Sequence, residues 1–222
     1  MSRKFQTGCV LLTEGSSDVY SIFSIRDTLK IEAFPAGYPS PLTNDYDGID
    51  GLIGFLPEVF KISGLKAVGV VVDSDKNRNV NHQRLNKILV ENFGYQLPPI
   101  AEEGIVAEFE RFRFGLWFWP DNIREGDLET FLADFVPQEM GFEIAQNAVE
   151  QALSNPRIGL KEKDKRKAEL YTWLGFQREP GRPFGLAISE FKYFRLVDES
   201  NQYKTTALKN FKSWLQRLYQ HD

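Results

Sequence analysis

Short, continuously apolar runs that end on acidic residues are the clearest pattern along this chain. Cys9 to Leu12 (CVLL) runs into Thr13-Glu14-Gly15, and Ala67 to Val72 (AVGVVV) runs into Asp73-Ser74-Asp75. A run that is apolar on both faces suits a strand buried in a parallel sheet. A third run, Phe112 to Trp119 (FRFGLWFW), is aromatic and is stopped by Pro120-Asp121-Asn122. Ile31 to Phe34 reads as a further short strand.

Between these runs the period changes from two to that of a helix. Ser16-Ser17-Asp18 offers N-cap side chains, and Val19, Ile22, Phe23 and Leu29 follow at helical spacing. Ile49 to Ile62 has helical intervals, with Pro57 expected to kink or break it. A polar helix is expected over Asn79 to Glu91, and another opens at Gly126-Asp127-Leu128-Glu129 and continues through Phe135. Pro35 to Asp47, rich in Pro, Gly, Asn and Asp, reads as a loop. Alternating strands and helices of this kind predict an α/β fold with a mostly parallel sheet flanked by helices. After Pro137 the pattern is helical only. Gly141 to Leu153 and Lys161 to Leu174 read as helices, and Arg178 to Pro183 as a loop. Leu208, Phe211, Trp214, Leu215 and Leu218 line one face of a last helix. Residues 1–136 are therefore expected to form one α/β domain, with 137–222 a helical extension packed on it.

Composition narrows the class. The chain has 222 residues, 42% of them hydrophobic, enough for a substantial core. A single cysteine, Cys9, within an apolar run excludes a disulfide framework within the monomer and favours a reducing compartment. The run after the N-terminus is too short for a signal peptide, and no stretch approaches a membrane span, so the expected location is the cytoplasm. The net charge of −4 gives no global field for nucleic acid, although an acidic metal site would itself lower that balance.

The chemistry sits at the strand ends. Asp73 and Asp75 stand two positions apart, so strand geometry points them to one side. Carboxylates at the mouth of a sheet make a hard oxygen site suited to Mg²⁺ or Mn²⁺, and like charges this close call for a cation. As an alternative, both simply cap the turn that follows. Glu14 ends the first run at the same edge, where Asp, Asn or Ser would serve an ordinary turn better. Asp18 is either a further ligand or an N-cap. Asp127 and Glu129 lie in a first helical turn, where acids also favour the helix dipole. Lys76 is placed to steady a phosphate or to balance the acidic turn. The run Lys161 to Lys167 (KEKDKRK) reads as a solvated helix face or a phosphate-backbone contact. His82 reads as a surface residue. Trp117, Phe118 and Trp119 read as core rather than as stacking partners for bases, and Trp119, near the rim beside Pro120, is the only one to test for stacking on a base.

An apolar strand ending in Glu-Gly, Asp four residues after that Glu, and a later apolar strand ending in Asp-x-Asp resemble the Toprim domain. Here they read LLTEGSSD and VGVVVDSD, and the resemblance covers about Cys9 to Phe135. Topoisomerases of types IA and II, bacterial primases, small maturation and repair proteins and OLD-type nucleases share that domain. The resemblance implies Mg²⁺ held by Glu14, Asp73 and Asp75, with Glu14 also a general acid or base. GDLETFL (Gly126 to Leu132) is similar to a segment of OLD-type nucleases that contributes to a second metal position, which implies roles for Asp127 and Glu129. GLWFWPDN (Gly115 to Asn122) resembles small stand-alone Toprim-like proteins without an assigned function.

The resemblance implies metal-dependent phosphodiester chemistry on DNA or RNA, most simply that of a nuclease. The chain is too short for strand-passage machinery and has no Cys/His cluster of a primase. One alternative is a catalytically silent module that binds metal and nucleic acid or a protein partner, such as a separate ATPase, since this chain has no Walker-type glycine loop. Another is a metal-dependent nucleotide-sugar transferase using Asp-x-Asp, which leaves Glu14-Gly15 unexplained. A haloacid-dehalogenase-type phosphatase places its Asp-x-Asp after an early strand, unlike Asp73 and Asp75.

Overall fold

A computed structural model of the chain describes residues 8–32, 48–74 and 78–219. It is an α/β structure built on a four-stranded sheet in the order β1-β2-β4-β3. The strands are β1 (Cys9–Thr13), β2 (Ala67–Asp73), β3 (Ile105–Glu108) and β4 (Arg113–Trp119). β1, β2 and β4 are parallel, and β3 pairs antiparallel to β4 at the edge. The helices are α1 (Ser16–Thr28), α2 (Gly48–Val59), α3 (Arg78–Phe93), α4 (Leu128–Ala133), α5 (Phe142–Leu153), α6 (Lys165–Gly175), α7 (Phe184–Ser189) and α8 (Thr206–Tyr219).

Strand parity divides the core in two. Even-numbered side chains, among them Val10, Leu12, Val68, Val70, Phe114 and Phe118, pack against Leu52 and Leu56 of α2 and Leu85 and Leu89 of α3. Odd-numbered ones, including Cys9, Leu11, Val71, Trp117 and Trp119, face α1, α4 and α8 together with the later helices. Covering both faces is what allows β1 up to Leu12 and β2 up to Val72 to be apolar on both sides. The same parity places Asp73, the last residue of β2, on the face of α1, α4 and α8.

α8 crosses that face where the side chains are smallest. Gly69 and Gly115 are partners in the β2–β4 register. A Cβ at Gly69 would lie 2.2 Å from the Tyr219 hydroxyl, and one at Gly115 would lie 2.5 Å from Leu218 Cδ2. The two glycines thus form the trough that seats the end of α8. Tyr219 donates a 2.7 Å hydrogen bond to the Val10 carbonyl and Trp214 a 2.9 Å one to the Ile105 carbonyl, so both buried polar tips are satisfied. Trp173 of α6 likewise donates to the Met140 carbonyl at 3.0 Å.

Several expectations are corrected. Ile31 and Glu32 do not form a strand: the Ile31 N–H bonds back to the Arg26 carbonyl at 2.9 Å and closes α1. The rest of the segment Ile31 to Phe34, and all of the expected loop Pro35 to Asp47, lie outside the described residues. Pro57 does not interrupt α2, which continues to Val59. The edge strand β3 and the short helix α7 have no counterpart in the hydrophobic pattern, and Glu162–Asp164 is a 3₁₀ turn that leads into α6. Among the described residues no helix is long and apolar enough to cross a membrane.

Candidate acidic site at the carboxyl edge of the sheet

Parallel strands end together at one edge, and the loops leaving that edge carry the acidic residues. Glu14 follows β1 directly, and its Oε1 accepts a 2.9 Å hydrogen bond from the Asp73 backbone N–H, so the ends of β1 and β2 are joined by an acidic side chain. The turn beside it is held by Thr13, whose hydroxyl donates to the Gly15 carbonyl at 2.8 Å.

Asp18 lies in the first turn of α1. The N-cap of that helix is Gly15, not one of Ser16, Ser17 or Asp18. Asp18 Oδ1 instead accepts a 2.9 Å hydrogen bond from the Trp119 indole at the end of β4. Trp119 itself is fully buried, packs on Phe131 and Phe211, and has no face open to a base. The expected core role of Trp119 holds, and stacking on a base is not open to it because Phe131 of α4 and Phe211 of α8 cover the strand end.

The segment after β4 is bound to the end of β2. The Ser74 N–H donates to the Trp119 carbonyl at 3.1 Å and the Gly126 carbonyl at 3.0 Å, and its hydroxyl to the Arg124 carbonyl at 2.8 Å. Arg78 of α3 donates to the Asn122 carbonyl at 2.9 Å and also contacts the Ile123 carbonyl. These bonds bring Asp127 and Glu129 beside Asp73. Asp127 is the N-cap of α4, its Oδ1 accepting from the Thr130 N–H at 2.8 Å and the Thr130 hydroxyl at 2.7 Å. Glu129 is buried and pairs with Lys167 of α6 at 3.2 Å.

The acids at this edge act on one another's ionisation. Burial pushes the Asp73 carboxyl up to about 9, reinforced by the charges of Asp18, Glu14, Asp127 and Glu129. Burial likewise raises Asp18 to about 7, with Glu129 and Glu14 adding to the rise and the Trp119 hydrogen bond opposing it. Glu129 is raised by burial and by Asp127, against the pull of Lys167. For Lys167 burial works downwards, but the attraction of Glu129 outweighs it and the ammonium is held above its ordinary range.

The structure thus brings together Glu14, Asp18, Asp73, Asp127 and Glu129. Asp75 and Lys76 lie outside the described residues. Among the described residues no group of three or more His, Cys, Asp or Glu side chains is arranged to hold a metal ion. The hard oxygen donors match Mg²⁺ or Mn²⁺ in chemistry, although the described carboxylates do not close round an ion. His82 is not part of this site: its Nε2 is 2.9 Å from the Pro98 carbonyl.

Sequence reasoning misses Lys167. The run Lys161 to Lys167 is not simply a solvated face, since Lys165 pairs with Glu150, Arg166 with the buried Glu169 at 2.7 Å, and Lys167 with Glu129. The signal available is a dense cationic run in a chain whose acids gather at one edge. Beside Asp127 a groove of about 350 Å³, open to solvent, is lined by the basic Lys163, Lys165 and Arg166 and by the acidic Glu125, Asp127, Glu162 and Glu169.

A family model described as a protein of unknown function, DUF3226, matches residues 9–220. No curated protein and no solved structure matches the chain.

Proposed function

Because the chain belongs to the DUF3226 family, whose description assigns no function, its activity has to be read from the site, and we propose a Toprim-like, Mg²⁺- or Mn²⁺-dependent phosphodiester-processing centre, most simply a nuclease acting on DNA or RNA. The observation that carries this reading is the electrostatic convergence of Glu14, Asp18, Asp73, Asp127 and Glu129 at the carboxyl edge of a parallel sheet, with Asp73 pushed up to about 9. Open α/β sheets bind their ligands at that edge. Carboxylates forced to keep protons at neutral pH are poised to exchange them for a divalent cation.

Glu14, Asp73 and Asp75 would hold the ion, with Asp18, Asp127 and Glu129 as further donors. When bound it would supply Lewis acidity to a phosphate and lower the pKa of an attacking water. The chain's own residues do the positioning. The Asp73 N–H fixes Glu14, the Trp119 indole fixes Asp18, and Thr130 fixes Asp127. Lys167 balances Glu129 and stands ready as a cation for a phosphate oxygen. A transferase using only Asp-x-Asp would leave Glu14 idle, whereas here Glu14 accepts a hydrogen bond from the Asp73 backbone N–H.

A second reading is a silent Toprim-like module that binds metal together with nucleic acid or a separate partner such as an ATPase. It is favoured by the net charge of −4, which supplies no global attraction for a nucleic-acid substrate.

Labelled single- and double-stranded DNA and RNA, incubated with the protein and Mg²⁺, Mn²⁺ or EDTA, distinguish the two. Metal-dependent cleavage that is absent from Asp73→Ala/Asp75→Ala supports the nuclease. Metal binding without cleavage of any substrate supports the module.

A further inference from the structure

A second cavity, of about 440 Å³, lies between the end of α1, the end of α7 and the chain from Phe194 to Tyr203. Its floor is apolar, from Leu29, Ile188, Phe194 and Leu196, and Tyr203 stands in its wall. Its charged lining residues are Lys30, Lys192 and Arg195, with no Asp or Glu among the residues that line it. All three cations are exposed to solvent. Arg195 also contacts Glu139, outside the lining. None of these residues belongs to the acidic site.

The backbone points to the same place. Four non-glycine residues have positive φ among the described residues, and three of them line this cavity: Lys30 at 51°, Lys192 at 53° and Asn201 at 61°. Asn accepts this left-handed conformation readily, but lysine does not. Lys30 follows the last turn of α1, where the Ile31 N–H returns to the Arg26 carbonyl. Lys192 follows α7, where the Tyr193 N–H returns to the Ala187 carbonyl at 2.8 Å. Glycine is the residue that closes a helix in this way without steric cost. A lysine near a helix C-terminus does gain from the helix dipole, but that gain needs no left-handed backbone and is available from any position in the last turn. Two ammonium groups placed at the same mouth at the expense of backbone comfort indicate a role for the side chains themselves.

We propose that this cavity binds a phosphorylated organic molecule of the nucleotide class, with the phosphate among Lys30, Lys192 and Arg195 and the ring on the apolar floor beside Tyr203. A cationic rim selects a multiply charged anion, and the Arg guanidinium matches phosphate geometry. The volume lies in the range of small-molecule sites, and an apolar floor with few convergent polar groups is their usual composition. The Tyr203 hydroxyl, held by Lys212 Nζ at 2.6 Å, fixes one wall.

The test is calorimetric titration of the protein with adenosine and thymidine monophosphates and with inorganic phosphate. EDTA is present throughout, so that a metal bridge at the acidic site contributes nothing. Saturable nucleotide binding is expected, with affinity at least about ten-fold lower in Lys30→Gly/Lys192→Gly and in Arg195→Gln. Because glycine relieves both left-handed positions, the double variant should melt at or above the wild-type temperature, which separates lost binding from lost folding. Absence of nucleotide binding to the wild type, or unchanged affinity in both variants, would overturn the proposal. Inorganic phosphate binding as tightly as the nucleotides would equally refute it, because the apolar floor would then have no part.

Discussion

The Trp119 indole Nε1 donates a 2.9 Å hydrogen bond to Asp18 Oδ1, tying the end of β4 to the first turn of α1 across the acidic site. Trp119→Phe keeps most of the buried ring and removes the donor. Asp18 then loses the indole contact that opposes its upward shift, and its orientation is no longer fixed. Partners of this kind are worth about 10- to 100-fold in metal affinity or activity when removed. The expected outcome is a loss of that order in metal-dependent cleavage. The fold should survive at a cost of about 1–3 kcal/mol in denaturant unfolding. Full activity in the folded variant would show that Asp18 has no part in the site.

Lys167 links the helices after Pro137 to the acidic edge. Lys167→Met leaves the buried Glu129 without this cation, so the Glu129 carboxyl moves still higher. If cleavage needs Glu129 ionised, the acid limb of the pH–rate profile shifts to higher pH and the rate at neutral pH falls by about 10²-fold or more. Lys167→Arg should recover part of the loss. A profile that keeps its shape while the rate falls through lost stability would assign Lys167 a structural role only.

The raised carboxyls make stability depend on pH in a definite direction. Asp73 at about 9 and Asp18 at about 7 keep their protons in the native state after the unfolded chain, at 3.8, has released them. The unfolded state therefore binds fewer protons from about pH 4 upward, and stability from these groups falls as pH rises towards the folded values. In EDTA, the melting temperature of Asp73→Asn relative to wild type should increase across this window, the variant being more stable by about 0.5–2 kcal/mol at neutral pH. Mg²⁺ should narrow the difference by stabilising the wild type. A pH-independent difference between the two proteins would contradict the coupling of these acids.

What can be read in the sequence follows from how local each feature is. β1 and β2 are legible because a short run apolar on both faces and bounded by turn residues fits little besides a buried strand, and their acidic ends come with them. β3 is not, since Ile105–Glu108 is short and half-exposed and takes its meaning from its β4 partner. Ile31 looks like the start of a strand only because its part in closing α1 depends on a hydrogen bond to Arg26. α7 is a helix of six residues packed on α1 at Gly185, where a Cβ would meet the Tyr20 carbonyl at 3.1 Å. Pattern reasoning cannot find an element whose stability is wholly tertiary. In the site, Glu14 and Asp73 stand out because both end strands. The pairing of Glu129 with Lys167 joins residues far apart in the chain. Trp119 reads as core, but the rim stays open as an alternative because Pro120 marks a strand end without revealing that Phe131 and Phe211 cover it.

Calorimetric titration of Mn²⁺ and Mg²⁺ into the wild type, Glu14→Gln and Asp73→Asn tests the central claim most directly, because it needs no substrate. The expected result is saturable binding to the wild type that weakens by at least about ten-fold in each variant. Proton release should accompany it near neutral pH, as raised carboxyls give up their protons to the ion. Absence of binding, or binding that survives both substitutions unchanged, would contradict a metal centre at the carboxyl edge of the sheet.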